Sequence, residues 1–229
     1  WLQSQGTISE PHWRPVMAFT GAALAAFLTA IAALRDGAIA PVRLLLAGIG
    51  MNALIGAVTL VIAMRLDREL YSAAAVWLSG SLSGAGWIAS ATLAPWLILL
   101  GLALLTQVRV LDLLSLGDET AAGRGLAVNI CRIRAAAIAV GLAAAGVAFS
   151  GGIGFIGLVA PHMARLLVGP RHGAALPVAA LCGAAVTVAA DLVGRAAFAP
   201  VELPAGIVAS ALGAPWFIWL MWRGEDKRR

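Results

Sequence analysis

Long apolar blocks alternate with short polar stretches along this chain. The blocks are Val16–Leu34, Leu44–Met64, Ser90–Thr106, Ala135–Ser150, Ile153–Val168, Ala175–Val193 and Ala205–Trp222. Runs of this length with almost no internal charge predict membrane-embedded α-helices, in which every backbone amide is satisfied within its own segment. Residues 1–15, with Trp13 and two prolines, and residues 65–89, with Trp77 and Trp87, predict interfacial segments. Gly151 and Gly152 separate the fourth and fifth blocks and predict a tight hairpin there. Each block of that pair reaches only about 24 Å as a helix, so neighbouring helices are expected to shield it from lipid.

The longest polar interlude is residues 107–134, which carry seven of the 27 charged residues. Asp118 has the chemistry of an N-cap for a short helix, Gly125 that of a left-handed stop, and Asn129 that of a second N-cap leading into Ala135. The segment reads as a helix, a glycine break and a return to the membrane. It is the place where a membrane subunit would be pushed by something in the water.

Composition agrees with lipid as the main solvent. The chain is 61% hydrophobic and 12% charged with mean hydropathy +0.93, whereas a soluble domain carries about a quarter charged residues. The excess of basic residues marks sidedness and not nucleic acid, because the cations stand at block ends with no interleaved aromatics. With the glycine hairpin there are seven spans. Loops 35–43, 107–134 and 162–174 and the C-terminal tail then share one side with 12 of the 16 basic residues, leaving Arg14, Arg65, Arg68 and Arg195 opposite. A single span through 135–160 leaves no bias, so the hairpin is preferred and the C-terminus is expected in the cytoplasm. Cys131 and Cys182 lack metal-ligand or disulfide spacing. The chain begins at Trp1, and an N-terminally incomplete unit is expected.

Four motifs have ordinary structural explanations. Gly152, Gly154 and Gly157 fit GxGxxG but lie between apolar blocks, without the strand a dinucleotide site needs. Serines in the 80–84 stretch have no neighbouring base, and no metal-ligand cluster exists, so no catalytic residue is assigned. Asp191 and Arg195 are spaced i,i+4 as a local ion pair that could also present Arg195 to an external partner. Pro161 and His162 sit near the inner end of a helix, where the proline removes a backbone hydrogen bond and the histidine is a satisfied interfacial group more readily than a proton relay.

Taken together, "RLLLAGI" (43–49), "WLSGSL" (77–82), "LSLGDETAAGRGL" (114–126), "GFIGLVAPHMARLLVG" (154–169), "LPVAALCGA" (176–184), "ADLVGRAAFAPVELPAGIV" (190–208) and "GAPWFIWLM" (213–221) resemble the FecCD family of permeases. These are membrane subunits of ATP-driven importers for ferric siderophores, haem and cobalamin. The loop at 116–121 and the stretch 194–206 most resemble the C-terminal half of the double-length ferric-hydroxamate permeases. The resemblance implies an all-α polytopic bundle supplying the last seven of about ten helices. Residues 1–229 then form one transmembrane permease domain, with 107–134 its cytoplasmic coupling loop. It further implies that Leu116, Gly117, Asp118, Glu119, Thr120, Ala121, Gly125 and Leu126 couple to an ATPase, and that Ala40, Pro41 and Val42 form a cytoplasmic gate. Arg195 would meet the substrate-binding protein, and Pro161, His162 and Arg165 would mark the inner loop. Asp118 stands where the family commonly has Glu, Ala122 and Gly123 replace larger polar residues, and Pro41 departs from the gate pattern.

The expected partners are a cytosolic ABC ATPase, a periplasmic or lipoprotein substrate-binding protein, a second permease unit (a homodimer, heterodimer or fused half) and membrane lipid, with no nucleic acid. No cofactor is expected on this chain, since ATP and magnesium belong to the ATPase. The expected function is import of a ferric siderophore, favouring a hydroxamate, across the bacterial inner membrane, with no enzymatic activity. The rival is a secondary transporter or channel driven by an ion gradient, which would place ionisable residues at mid-membrane. Here they cluster at span ends.

Overall fold

The computed structural model describes residues 13–35, 38–39, 41–83, 85–197 and 202–226. In chain order they form α1 (Trp13–Ala33), the two-residue strands β1 (Leu34–Arg35) and β2 (Ala38–Ile39), α2 (Pro41–Ala63), α3 (Arg68–Leu78) and α4 (Trp87–Thr106). There follow α5 (Val108–Leu114), α6 (Asp118–Gly123), α7 (Val128–Ser150), α8 (Ile156–Val168), α9 (His172–Ala196) and α10 (Ala205–Asp226). Val42–Ala63, α4, α7 and α9 are long and apolar enough to cross a membrane, and Met17–Ala33, Ile156–Val168 and Ala205–Phe217 are shorter apolar helices. These seven correspond to the seven apolar blocks. The fold is a polytopic helix bundle, and the antiparallel pairing of Leu34 with Ile39 and Arg35 with Ala38 is a minor ribbon between α1 and α2.

Packing rests on small side chains. The buried apolar residues among those described are ten alanines and two valines, including Ala144 and Ala145 on α7, Ala160 and Ala164 on α8 and Ala190 on α9. Large side chains such as Leu45, Leu46 and Ile49 on α2 and Ile98 and Leu99 on α4 face outward. Lipid is as apolar as leucine, so turning large residues outward costs nothing there, while alanine and glycine let helix backbones approach closely. Gly141 of α7 illustrates this, since a β-carbon there would lie 3.1 Å from a Leu100 methyl of α4. α7 packs between α1 and α4, while α9 packs on α8 and α10.

Three expectations need correction. The interfacial stretch 65–89 contains the α3 helix. α7 starts at Val128, two residues ahead of the start that an N-cap at Asn129 predicts, because Ala127 takes the cap position. The break at Gly151 is present, with φ +69, but α7 and α8 do not pair as a hairpin. The non-helical Gly152–Gly154 segment leads instead to Phe155, which has φ +64, and α8 packs against α9. A helix precedes these glycines, so the dinucleotide reading lacks its strand.

Candidate functional site

Residues 107–127 fold into two short helices at one end of the bundle. Gly117, with φ +102, turns the chain out of α5 and stands at the N-cap of α6. Asp118 is therefore the first helical residue and not the expected cap. Its carboxylate reaches instead to α7, where Arg132 Nη2 donates to Oδ1 at 2.7 Å. Asn129 likewise lies within α7, whose N-cap is Ala127.

Gly125 does stop α6, at φ +81. The Leu126 N–H bonds the Ala121 carbonyl at 3.1 Å and the Gly125 N–H bonds the Ala122 carbonyl at 2.9 Å, the paired closure that a left-handed glycine permits. Ala121 is fully buried and seats α6 on the bundle. Leu116, Asp118, Glu119 and Thr120 are exposed and Leu126 is half-buried. An open groove runs from Asp118 and Glu119 past Ala122 and Leu126 to Val128 and Ile130. α6 is thus seated by Ala121 and by the Asp118–Arg132 pair, while Leu116, Asp118, Glu119 and Thr120 stay exposed around it.

At the same end, α5 meets the start of α9. Asp112 Oδ1 accepts the backbone N–H of His172 at 2.9 Å and lies 2.7 Å from His172 Nδ1. The backbone N–H of His172, followed by its ring nitrogen, holds the Asp112 carboxyl below the ordinary carboxylate range against a partial desolvation.

Of the predicted gate residues, Ala40 lies outside the described residues. Pro41 opens α2, a position where its missing N–H is no loss. Val42 is exposed. Pro161 and His162 fall in the middle of α8, not near its inner end, because the helix continues to Val168. His162 sits edge-on to Trp216 of α10 with centroids 5.9 Å apart. Arg165 is in the last turn of α8, where its carbonyl accepts the Gly169 N–H.

Arg195 is at the far end of α9. Its Nε donates to Asp191 Oδ2 at 2.8 Å, the expected i,i+4 pair, and its Nη2 donates to the Leu82 carbonyl at 3.3 Å. With 43% of its side chain exposed, it is held in place and still accessible. The surrounding junction is made by backbone. Ser81 N–H bonds the Ser150 carbonyl, Leu203 N–H the Gly194 carbonyl and Gly206 N–H the Gly80 carbonyl.

The structure thus separates the predicted site residues into a charged surface around α6 and a backbone junction around Arg195. It adds Arg132, Asp112, His172 and Leu82, which sequence reasoning missed. Asp118 and Arg132 are 14 residues apart and Asp112 and His172 are 60 apart, so no local periodicity could pair them. No cluster of three or more His, Cys, Asp or Glu side chains suited to a metal occurs among the described residues.

The profile of the FecCD transport family matches residues 4–223. The chain is 45% identical over 211 residues to the iron(3+)-hydroxamate import system permease protein FhuG of Bacillus subtilis, covering 92% of this chain and 62% of that protein. It is 39% identical over 209 residues to the Fe(3+) dicitrate transport system permease protein FecD of Escherichia coli, covering 91% and 64%. The chain therefore spans less than two thirds of the length of these relatives. Among solved structures, a metal-chelate type ABC transporter in an inward-facing conformation matches with TM-score 0.77 and 28% identity, over 92% of this chain and 71% of that one.

Proposed function

The chain belongs to the FecCD transport family, and from that premise we propose that it is the membrane-spanning part of a binding-protein-dependent ABC importer permease, moving a ferric siderophore into the cytoplasm. The family is one of transport permeases, and the bundle carries several apolar helices of spanning length. No catalytic role is assigned to the chain. ATP and magnesium would be handled by a cytosolic ATPase, and a second permease unit and a substrate-binding protein would complete the assembly. A hydroxamate is the favoured chelator, on the strength of the 45% identity to a hydroxamate permease.

The observation that carries this reading is the outward-facing α6, held to the bundle by Ala121 and the Asp118–Arg132 pair. A short exposed helix on a jointed support suits a helix-in-groove contact with a soluble motor. In this reading residues 107–134 lie in the cytoplasm with the C-terminus, and Arg195 meets the binding protein outside. Val42 and Pro41 would flank the cytoplasmic gate. ATP-driven closure of the motor moves α6, and the spans rock between inward and outward states. Driving such an equilibrium from 1:99 to 99:1 takes roughly 5.5 kcal/mol of differential affinity.

The test is uptake of ferric hydroxamate by cells carrying the full-length permease with its ATPase. Uptake should survive a protonophore and stop when ATP is depleted. The reverse pattern would establish the ion-gradient transporter instead. Periplasmic labelling of a single cysteine placed at residue 119 would sink the proposed sidedness.

A further inference from the structure

We propose that Asp112 and His172 are positioning residues of the transport cycle, forming the joint through which movement of the 107–127 segment reaches α9. The inference rests on the reading that this segment is driven by an ATPase.

Four observations carry it. Arg171, the N-cap residue of α9, makes no side-chain cap of its own, and Asp112 fills that role from 60 residues upstream. The first amides of a helix lack internal partners and carry partial positive charge, so a carboxylate is the complementary group for them. One Asp112 oxygen takes both the backbone N–H and the ring nitrogen of His172, gripping the helix start by main chain and side chain together. An ionised carboxylate only accepts, so Nδ1 carries the proton in this contact.

Third, α9 is a continuous helix of 25 residues, about 37 Å long at the usual rise, with Pro177 in its second turn. It packs on both α8 and α10. Its far end is tied to the opposite junction through Arg195 to Leu82 and through the Gly194 carbonyl to Leu203. A displacement applied at His172 is therefore passed towards the outer junction along one continuous helix. Fourth, the segment has a separate attachment at α6, where Asp118 holds Arg132 of α7. Two polar joints thus feed two helix groups, α7 with α1 and α4, and α9 with α8 and α10.

The experiment uses the full-length permease assembled with its ATPase and binding protein in proteoliposomes, measuring substrate moved per ATP hydrolysed. Asp112→Ala should retain the ATPase and its hydrolysis but lower transport per ATP roughly fivefold or more, the low end of ordinary coupling factors. Asp112→Asn, which keeps an oxygen for both donors, should restore most of it. In a Cys131→Ala, Cys182→Ala background, Asp112→Cys combined with His172→Cys should be poorly coupled when reduced and recover on joining the two thiols with a short cross-link. Wild-type coupling in Asp112→Ala, or a reduced cysteine pair that couples as well as the joined one, overturns the joint while leaving the importer reading intact. A wild-type permease that retains no ATPase overturns both.

Discussion

At one end of α9, His172 is held by a carboxylate that reaches across from α5. At the other end, Gly194 gives its carbonyl to the Leu203 N–H, and Gly206 at the start of α10 gives its N–H to the Gly80 carbonyl. The first junction is side chain to helix end, with the Asp112 carboxylate partly in solvent. The second is backbone to backbone, with glycines admitting the approach. The difference teaches how a bundle can be moved without coming apart. A hydrogen bond to a carboxylate has a net worth of only about 1.5–3 kcal/mol, so such a contact can shift or exchange between states. Backbone contacts that exclude even a β-carbon cannot be loosened gradually.

The largest effect should come from crowding the backbone junction. A β-carbon at Gly206 would collide with the Ser79 carbonyl oxygen. Gly206→Val should destabilise the bundle by about 1–3 kcal/mol or prevent its accumulation in membranes, read by thermal unfolding in detergent. Gly146→Ala is the control, since nothing lies within 4 Å of its β-carbon position, and it should be neutral or slightly stabilising. Equal tolerance at both positions would erase the contrast between the two ends.

Next in size is the ionic joint at α6. Asp118→Arg sets two cations against each other at a site where 2.7 Å separates opposite charges. It should lower transport per ATP roughly fivefold or more while stability changes by less than about 1 kcal/mol. Combining it with Arg132→Asp re-forms the pair in reverse, and recovery of coupling would separate the joint from any direct role of Asp118 in gripping the motor.

Arg195→Gln should have a smaller effect still, because its partly exposed ion pair contributes little to stability. Weaker binding-protein affinity with unchanged unfolding temperature would place Arg195 at a docking surface. A fall in stability alone would leave it a tie between α9 and Leu82.

The pH response should be the smallest. Asp112 has a lowered pKa in the folded chain. Its contribution is therefore present above the ordinary carboxylate value and disappears as pH falls through the lowered one. Stability followed from neutral to strongly acidic pH should show an Asp112-dependent loss only on the acid side, absent from Asp112→Asn. A loss at neutral pH would contradict the geometry of the joint.

Much of the fold was legible because membrane helices are written locally. A run such as Leu44–Met64 has one stable conformation in lipid, Gly125 marks a left-handed stop, and Gly151 marks a break in the helical path. The i,i+4 pair of Asp191 and Arg195 was readable for the same reason. Asp118 shows where local reading fails. Its side chain has N-cap chemistry, but Gly117 took the cap position and the carboxylate reached across to Arg132 instead. The hairpin expected at Gly151–Gly152 failed similarly: the glycines fix where the chain turns, while neighbouring helices fix where it goes next.

The sequence by itself determined the apolar blocks, their all-α character, the glycine breaks and the family, because each depends on residues adjacent in the chain or on their order. Only the tertiary structure decided that Asp112 meets His172, that Asp118 meets Arg132, and that α8 packs on α9 and not on α7. Those pairings depend on how helices rotate and cross, and a chain built mostly of alanine, glycine and leucine carries few distinguishing marks on any helix face from which to read them.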